Sequence, residues 1–344
     1  MIPAARVLPL LALLGGCAGL FAQGTSLSGP PLVDPPRRPG KTLVLVAMPD
    51  SPSFHAVRRT LVSELQTDFD VRTLLVDAQT TARQFAGAVE ESHAAGVVVM
   101  DNPTIKLYRA YQTSHAGPGA PPGAAAGIPA VVAMSSFLEE LHGQLPNTTG
   151  VAYEVPGVTA FVHLREIVKH PVRRVGVVHR PVFGAFIERQ RVLAAKEQVE
   201  LVPVAVSADP SPQEVKAALR RLRTQGGIDT LWILNDNRLL RSAPFLDSAW
   251  RAEVAAMDAK VIVGVEALVS EDAHFGAFAV VPDLDALGMQ TANLVFELAD
   301  RQWNATGLPV EPPISTRTVG NVREIRQRFG LRPGALARID RIVE

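Results

Sequence analysis

Short apolar runs alternate with amphipathic segments along the chain from Lys41 onward. Residues 42–47 form a continuous apolar run, which is typical of a strand buried on both faces of a sheet. Ser51 followed by Pro52 predicts a helix N-cap with proline at the first helical position. The same unit recurs, and the pattern predicts further strands at 71–76, 96–100, 129–134, 174–179, 201–206, 230–234, 261–265 and 276–281, with a late one near 314–319.

Two of the segments between the strands carry clear helix signals. Ser211, Pro212 and Glu214 have the spacing of a capping box with proline at its start. The apolar face of a second, long helix is marked by Leu284, Leu287, Leu294, Val295 and Leu298.

Strands that alternate with helices predict parallel sheets joined by right-handed crossovers. About ten strands are too many for one simple doubly wound domain. We therefore predict an α/β fold of two Rossmann-like lobes with parallel sheets. Such sheets bind ligands beyond the carboxyl ends of their strands, so two facing lobes form a cleft.

Composition and charge exclude several classes of protein. The chain has 344 residues, of which 47% are hydrophobic and 20% charged, with 34 basic and 34 acidic residues. A disordered chain would be less apolar, and a nucleic-acid binder would have a basic excess, so we expect no nucleic-acid partner. The single cysteine excludes a disulfide scaffold and a zinc ribbon.

Signals for catalysis, cofactors and metals are absent from the sequence. It contains no G-x-S-x-G elbow, no phosphate-binding loop, no dinucleotide fingerprint and no H-E-x-x-H pair. His163 and His170 would share a helix face, but they lack a carboxylate partner at metal spacing. We therefore expect a protein that is not an enzyme and that has no cofactor or metal site.

The N-terminus reads as a secretory signal. Arg6 precedes an apolar run at 7–14 that is too short to span a bilayer. The following Leu-Gly-Gly-Cys at 14–17 resembles a bacterial lipobox. This resemblance implies cleavage after Gly16 and acylation of Cys17, which would anchor the protein in the bilayer of the bacterial cell envelope, facing the periplasm.

The residue after the cysteine bears on which membrane holds the anchor. Ala18 stands there instead of aspartate, which favours the outer membrane over the inner. The alternative is an ordinary secreted protein with an incidental cysteine. Residues 17–40 would comprise the lipidated cysteine and a proline-rich linker, since residues 18–40 hold five prolines and show no hydrophobic period.

Several motifs occur in a characteristic order: PNTTGV at 146–151, LREIV at 164–168, VRRVGVV at 172–178, IDTLWILND at 228–236, HFGA at 274–277 and LG at 287–288. In order and spacing the chain resembles, over about 145–335, the ABC-transporter substrate-binding proteins related to tryptophan- and tyrosine-uptake lipoproteins. The resemblance implies the type I periplasmic binding-protein fold, in which the chain crosses three times between hinged lobes.

We place the three crossings near 153–157, near Glu266 and near 304–309. Lobe 1 is then expected to comprise 41–155 plus 267–303, and lobe 2 to comprise 156–266 plus 304–344. Residues 41–145 agree with the family in strand order but not in motif.

Polar and aromatic side chains at the predicted strand ends and at the first crossing are the candidate ligand-binding residues: Asp50, Ser51, Asp101, Asn102, Ser135, Ser136, Tyr153, Arg180, Phe183, Asn235, Asp236 and Glu266. Asp236 or Glu266 would hold an amino group, Arg180 a carboxylate, and Phe183 or Tyr153 an apolar part. The plainer interpretation makes Asp50, Ser51, Ser135 and Asp236 helix caps and Phe183 a core residue.

The leading hypothesis is a membrane-anchored solute-binding lipoprotein of an ABC-type uptake system. It would close two lobes on a small polar solute such as an amino acid and deliver it to a permease. The alternative is a lipoprotein of the same fold that senses a ligand or binds a protein partner. A third hypothesis, an enzyme with two Rossmann-like lobes such as a glycosyl transferase, would need a nucleotide site, for which the sequence has no fingerprint.

Overall fold

The computed structural model describes residues 32–116, 127–143, 145–269 and 275–343. The predicted signal peptide (1–16), Cys17 and most of the predicted linker lie outside the described residues. Within these ranges the chain forms two α/β lobes, as the alternating pattern predicts.

The strands of the described residues are β1 (Thr42–Met48), β2 (Phe69–Leu75), β3 (Gly96–Met100), β4 (Ala130–Ala133), β5 (Thr148–Val151), β6 (Arg174–His179), β7 (Glu200–Ala205), β8 (Thr230–Ile233), β9 (Lys260–Val263), β10 (Phe278–Pro282), β11 (Val310–Glu311), β12 (Thr316–Asn321) and β13 (Arg341–Val343). Each predicted strand is present. β5, β11 and β13 were not predicted, since two of them are only two and three residues long and β5 lies within the motif at 146–151.

The α-helices of the described residues are α1 (Pro52–Leu65), α2 (Ala82–Ser92), α3 (Asn102–His115), α4 (Leu138–His142), α5 (Gly157–Ile167), α6 (Gly184–Lys196), α7 (Pro212–Arg221), α8 (Ala243–Leu246), α9 (Ala252–Ala255), α10 (Leu284–Asp300) and α11 (Val322–Arg328). None of them combines the length and the apolar character that crossing a membrane requires.

The sheet of lobe 1 has the strand order β11-β5-β4-β3-β1-β2, and all of its pairings are parallel. Its central strands consist of apolar residues that are buried on both faces. One face packs against α1 and α10, and the other against α2 and α3. A Cβ at Gly288 of α10 would lie 2.5 Å from the carbonyl oxygen of Val57 in α1, so these two helices approach too closely for a side chain.

The sheet of lobe 2 has the order β13-β12-β10-β9-β8-β6-β7, in which only the β10–β12 pair is antiparallel. Apolar clusters cover both of its faces. The cluster that includes α5 and α6 also contains Phe137, which follows β4 of lobe 1. The hydrophobic core of lobe 2 therefore continues across the cleft into lobe 1.

The strand pairing places two of the three crossings at residues other than those predicted. The first crossing, between β5 and α5, lies where it was predicted. β10 pairs with β9 and β12, so the second crossing follows Pro282 and not Glu266. β11 pairs with β5, so the third crossing lies at 312–315 and not at 304–309.

These pairings correct the predicted lobe boundaries. β10 falls in the expected lobe 1 segment (267–303) but belongs to the sheet of lobe 2, and β11 falls in the expected lobe 2 segment (304–344) but belongs to lobe 1. The strand predicted at 276–281 was real but was assigned to the wrong sheet. An apolar run indicates a buried strand without indicating which sheet buries it.

The capping box predicted at Ser211 is half formed. The Ser211 hydroxyl accepts a hydrogen bond from the N–H of Glu214 at 3.2 Å, as predicted. The Glu214 carboxylate instead accepts hydrogen bonds from the N–H and hydroxyl of Ser207. The reciprocal pair that defines the box is found at Thr81 and Gln84, at the start of α2.

The last part of the predicted linker (17–40) is bound to lobe 1. The Asp34 carboxylate accepts a hydrogen bond from the Arg58 guanidinium at 2.5 Å and one from the Thr73 hydroxyl at 2.7 Å. Arg58 is 5% exposed, so this ion pair is largely buried. The prediction of a linker is therefore wrong for residues 32–38, which we call the docked strap.

Candidate functional site

The two lobes meet at the carboxyl ends of their strands, and two small cavities lie where they meet. The first, which we call the central cavity, has a volume of about 40 Å³, room for about three water molecules. It is lined by Phe137, Tyr153, Glu154, Val155, Gly157, Ala160, Phe186, Trp232, Leu234, Asn235, Ile262, Val263, Gly264, Val280 and Pro282. Both lobes and the first crossing contribute to this lining.

The second, which we call the acidic cavity, adjoins the central one and has a volume of about 60 Å³. Phe137, Glu154 and Phe186 line both cavities. The other residues of its lining are Glu139, Glu140, Ala152, Pro156, Gln190 and Pro312. Three of its lining residues are therefore glutamates, so its walls carry acidic groups.

Aromatic side chains from the two lobes are in contact across the cleft. Phe137 of lobe 1 stacks on Phe183 of lobe 2 with ring centroids 3.8 Å apart, and its edge contacts Phe186 at 5.3 Å. The backbone φ of Phe137 is +58°, in the left-handed region that side chains other than glycine rarely adopt. Phe183 was predicted to cover an apolar part of a ligand, and in this structure it covers Phe137.

Arg180 and Asp236 form a buried ion pair with each other. The Arg180 Nε lies 2.7 Å from one Asp236 oxygen, and a terminal guanidinium nitrogen lies 2.9 Å from the other. The Asp236 side chain has no exposed area, and its Oδ1 also accepts from the N–H of Arg238. The sequence predicted Arg180 and Asp236 as separate contacts for a carboxylate and an amino group, whereas the structure pairs them with each other.

Three predicted residues form a hydrogen-bonded chain across the cleft. The Asn102 side chain donates to the Ser136 carbonyl at 2.9 Å and accepts from the Ser136 N–H at 2.8 Å. The Asn235 Nδ2 of lobe 2 then donates to the Ser136 hydroxyl at 3.1 Å. Ser135 is fully buried, and its hydroxyl has no partner among the described residues.

Three other predicted residues of lobe 1 lie at helix starts. Asp101 caps α3 through the N–H of Thr104, and its φ is +75°. Burial raises the pKa of Asp101 to about 6, although the hydrogen bonds from Thr104 oppose the shift. Ser51 precedes α1 without a side-chain capping bond, and Asp50 is exposed and pairs with His55 at 2.8 Å. Asp101 therefore caps a helix, a role that the plainer interpretation did not give it, whereas Ser51 stands at the N-cap position of α1 without a capping bond and Asp50 pairs with a histidine.

Tyr153 and Glu266 were both predicted, but only Tyr153 lines the central cavity. Burial raises the pKa of its hydroxyl to about 12. Glu266 binds the guanidinium of Arg317 at 2.9 Å and also that of Arg341. Like Asp236, Glu266 has its positive partner within the chain.

Glu154 is the acidic residue of the central cavity, and the candidate set omitted it together with the aromatic residues Phe137, Phe186 and Trp232. Its Oε1 is buried and has no hydrogen-bond partner among the described residues, and the N–H of Phe137 donates to its carboxylate. Burial and, to a smaller extent, the nearby Glu139 carboxylate together raise the pKa of Glu154 to about 8. Its position next to Tyr153, at a predicted crossing, was the sequence signal for it.

Arg189 links the lobes at the edge of the acidic cavity. This residue of α6 contacts the carboxylates of Glu139 and Glu140 in α4, at 3.1 and 2.6 Å. The Arg189 side chain is 47% exposed, so this ion pair lies in water-accessible surroundings. The sequence held no signal for a pairing between residues about 50 positions apart.

Trp232 lies inside β8 and was interpreted from the sequence as a core residue. It is 6% exposed and packs edge-on against Phe161 at 5.5 Å, but it also lines the central cavity. A Cβ at Gly157 would lie 2.8 Å from its ring, so the start of α5 approaches the indole closely.

Within the described ranges, no group of three or more metal-ligating side chains is found.

Comparison with known proteins identifies the fold. No family model and no curated protein matches the chain. A solved ABC domain in complex with L-Trp from Streptococcus pneumonia aligns with a TM-score of 0.58 at 17% identity, covering 88% of this chain and 100% of that one. A ligand-free, open substrate-binding protein with adhesive properties from Clostridium difficile aligns with a TM-score of 0.61 at 16% identity, covering 88% and 99%.

These similarities extend over nearly the whole of both solved chains. The fold is therefore that of the type I periplasmic binding proteins, as the resemblance implied. At such identities the comparison shows the fold and leaves the ligand open.

Proposed function

We propose that the chain binds a small solute between its two lobes and does not catalyse a reaction. The observation that carries the proposal is the central cavity, which both lobes and the first crossing line with aromatic side chains and with a carboxylate, one oxygen of which has no partner among the described residues. Cavities of mixed apolar and polar lining between domains are common ligand sites. The two neighbours of this fold, one named as a substrate-binding protein and one in complex with L-Trp, support the same function.

Binding is proposed to shift the chain between open and closed arrangements of the lobes. The Phe137–Phe183 stack, the Asn235–Ser136 hydrogen bond and the Arg189 contacts all join groups on different lobes. These contacts form only when the lobes meet, so they contribute to the stability of the closed arrangement alone. A solute that touches both lobes favours that arrangement by its differential affinity.

The wider role that we propose is that of a lipoprotein of an ABC-type uptake system, in the envelope of a bacterium. The lipobox-like sequence at 14–17 supports an anchor at Cys17, and the docked strap would then hold lobe 1 within about fifteen residues of the membrane surface. Mass spectrometry of the mature protein tests the anchor, with Cys17→Ser as the control. An unmodified Cys17 would contradict it.

The solute-binding proposal is tested by thermal shift and calorimetry against a panel of amino acids, amines, sugars and aromatic acids. We expect saturable stabilisation by one chemical class. To localise the binding, Ser136→Cys and Asn235→Cys are introduced together with Cys17→Ser, because the two side chains meet across the cleft. Oxidation should lock the lobes together and abolish solute binding, and reduction should restore it.

The matched control crosslinks two residues of the same lobe. The short side chains of Asp77 and Thr80 meet within lobe 1, with Oδ1 and Oγ1 2.8 Å apart, so cysteines at these positions should leave binding unchanged when oxidised. If the locked cleft binds solute as well as the reduced one, the site lies elsewhere. If no solute of the panel stabilises the protein, the alternative role in partner binding is favoured.

A further inference from the structure

We propose that Glu154 binds the cationic amino group of the solute, and that the solute is an amine with an aromatic or otherwise apolar body and no required carboxylate. The inference deepens the proposed function and rests on it. It differs from the sequence-based hypothesis, in which an amino acid would be held at both its amino group and its carboxylate.

The first argument is the geometry of Glu154. Its side chain lines both cavities, and one carboxylate oxygen is buried without a partner among the described residues. A buried acceptor without a hydrogen bond costs about 1–3 kcal/mol, and more if it is charged. A donor from a bound solute would remove this cost, because the unpaired oxygen belongs to a side chain that borders the space a solute enters.

The second argument is the charge around the cavities. No lysine or arginine is among the residues that line either of them. The acidic cavity has Glu139, Glu140 and Glu154 in its walls, and the single guanidinium of Arg189 contacts two of these three at its edge. The balance is negative, which favours a cation over an anion or a zwitterion.

The third argument concerns the group that was expected to hold a carboxylate. Arg180 forms a two-pronged ion pair with Asp236, whose side chain has no exposed area. Taking Arg180 away would leave that buried carboxylate unpaired, which is strongly unfavourable. Arg180 is therefore unsuited to hold the carboxylate of a solute.

The fourth argument is the wall next to Glu154. Phe137, Tyr153, Phe186 and Trp232 line the central cavity with it. Aromatic faces attract cations and bury apolar groups, so a solute with a cationic end and an aromatic body matches both features. The present volume of about 40 Å³ is too small for such a body, so it would enter as the lobes separate.

Binding of an amine should also release a proton. With its pKa raised to about 8 by burial, the Glu154 carboxyl holds a proton near pH 7, and a cation placed against it lowers that pKa. The charged or titratable groups that face it are Glu139 and Glu140 from α4, Arg189 from α6 and the neighbouring Tyr153. A solute carboxylate at the same place would instead favour proton uptake.

The experiment uses four probes that share a phenylethyl body: 2-phenylethylamine, phenylalanine, 3-phenylpropanoate and 2-phenylethanol. Calorimetry at pH 7 in two buffers of different ionisation enthalpy measures both the affinity and the number of protons exchanged. We expect the amine to bind at least tenfold more tightly than each of the other three and to release protons on binding.

Glu154→Gln should weaken binding of the amine at least tenfold, abolish the proton release and leave the affinity for the alcohol within twofold. The glutamine copies the shape and neutral charge of the protonated carboxyl, so the variant should fold. Glu188→Gln is the matched control, because Glu188 is an exposed carboxylate paired with Arg191 on α6, and it should change nothing.

Three results would overturn the inference while leaving the proposed function in place. They are tighter binding of the zwitterion or the anion than of the amine, proton uptake on binding, and an unchanged amine affinity in Glu154→Gln. Failure of all four probes, alongside stabilisation by a solute of the broad panel that is not an amine, would overturn the ligand class alone. Failure of every solute would overturn the proposed function as well.

Discussion

The strand ends of lobe 2 and the first crossing each hold a carboxylate with a buried oxygen, and the two differ in their partners. At the strand ends, Asp236 receives both prongs of Arg180 and a backbone N–H. At the crossing, Glu154 has an oxygen without a partner in the described part of the chain and a raised pKa. The contrast teaches that burial beside a cleft does not by itself identify a ligand-binding group. The better criterion is a buried oxygen that has no partner in the described part of the chain and that also lines a cavity.

The largest expected effect comes from breaking the paired carboxylate. Asp236→Asn leaves the Arg180 guanidinium, whose side chain is 14% exposed, without its counter-charge. Removing one member of a buried pair typically costs about 3–5 kcal/mol in the free energy of unfolding. Urea unfolding measures this cost.

Its control is Glu197→Gln, which breaks the exposed pair with Arg165 and should cost less than about 1 kcal/mol. A loss for Asp236→Asn no larger than that of the control would mean that Arg180 finds water or another partner. The contrast with Glu154 would then fail.

The second prediction concerns the unpaired carboxylate and its dependence on pH. The Glu154 carboxyl has a pKa of about 8 in the folded chain against an ordinary value of 4.5, so the folded state holds a proton that the unfolded state has lost. Between these two values the free energy of unfolding therefore falls as pH rises, by up to about 1.4 kcal/mol per pH unit. Glu154→Gln lacks this pH-dependent contribution to the free energy of unfolding.

Urea unfolding of the wild type and of Glu154→Gln at several pH values isolates the contribution, because all other groups are shared. The difference between the two should change steadily from pH 5.5 to 7.5 and become constant below about pH 4. Parallel curves over the whole range would show that Glu154 is solvated or paired in the folded chain.

Much of the fold follows from local pattern, because buried parallel strands are apolar along their whole length. Every predicted strand is present, and the strand ends carry the residues that meet at the cleft. The second and third crossings were wrong because the sheet membership of β10 and of the two-residue β11 depends on pairing with distant strands. Local hydrophobicity does not predict which distant strands pair.

The sequence indicated which candidate residues lie at the cleft, but it did not indicate which residues they pair with. Asn235, Ser136 and Tyr153 lie at the cleft as strand order indicates. Arg180 and Asp236 are 56 positions apart, so no local sequence pattern predicts that they pair with each other. Glu154 was left out of the candidate set because a glutamate in a connecting segment is usually solvated, and its burial depends on residues from both lobes that meet around the cavities.

A third, smaller effect is expected from the carboxylate of the docked strap. Asp34 is paired like Asp236, but its side chain is 25% exposed, so water replaces part of what is lost. Asp34→Asn should lower the free energy of unfolding by about 2 kcal/mol, the cost of weakened hydrogen bonds to a charged group. It should also expose residues 32–38 to limited proteolysis.

The control for the strap is Asp50→Asn. Asp50 is 70% exposed and is paired with His55, and its substitution should change stability by less than about 0.5 kcal/mol. If Asp34→Asn behaves like this control and residues 32–38 remain protected, then the apolar contact of Leu32 with the core of lobe 1 holds the strap instead.

The smallest effect is expected for the exposed acidic pair that joins the lobes. Arg189 contacts Glu139 and Glu140 in water-accessible surroundings, so Arg189→Gln should shift the closing equilibrium by less than about 1 kcal/mol, which is roughly fivefold. The rate at which cysteines at 136 and 235 crosslink reports closure without needing a ligand. The crosslinking rate of Arg189→Gln should be lower than that of the parent at low salt and equal to it at about 1 M salt, where exposed charges are screened.

Arg191→Gln, which breaks a pair within α6, is the control and should leave the crosslinking rate unchanged. A salt-independent loss for Arg189→Gln would mean that its stem packs against Phe186 and acts by shape, since its guanidinium lies 6.0 Å from that ring.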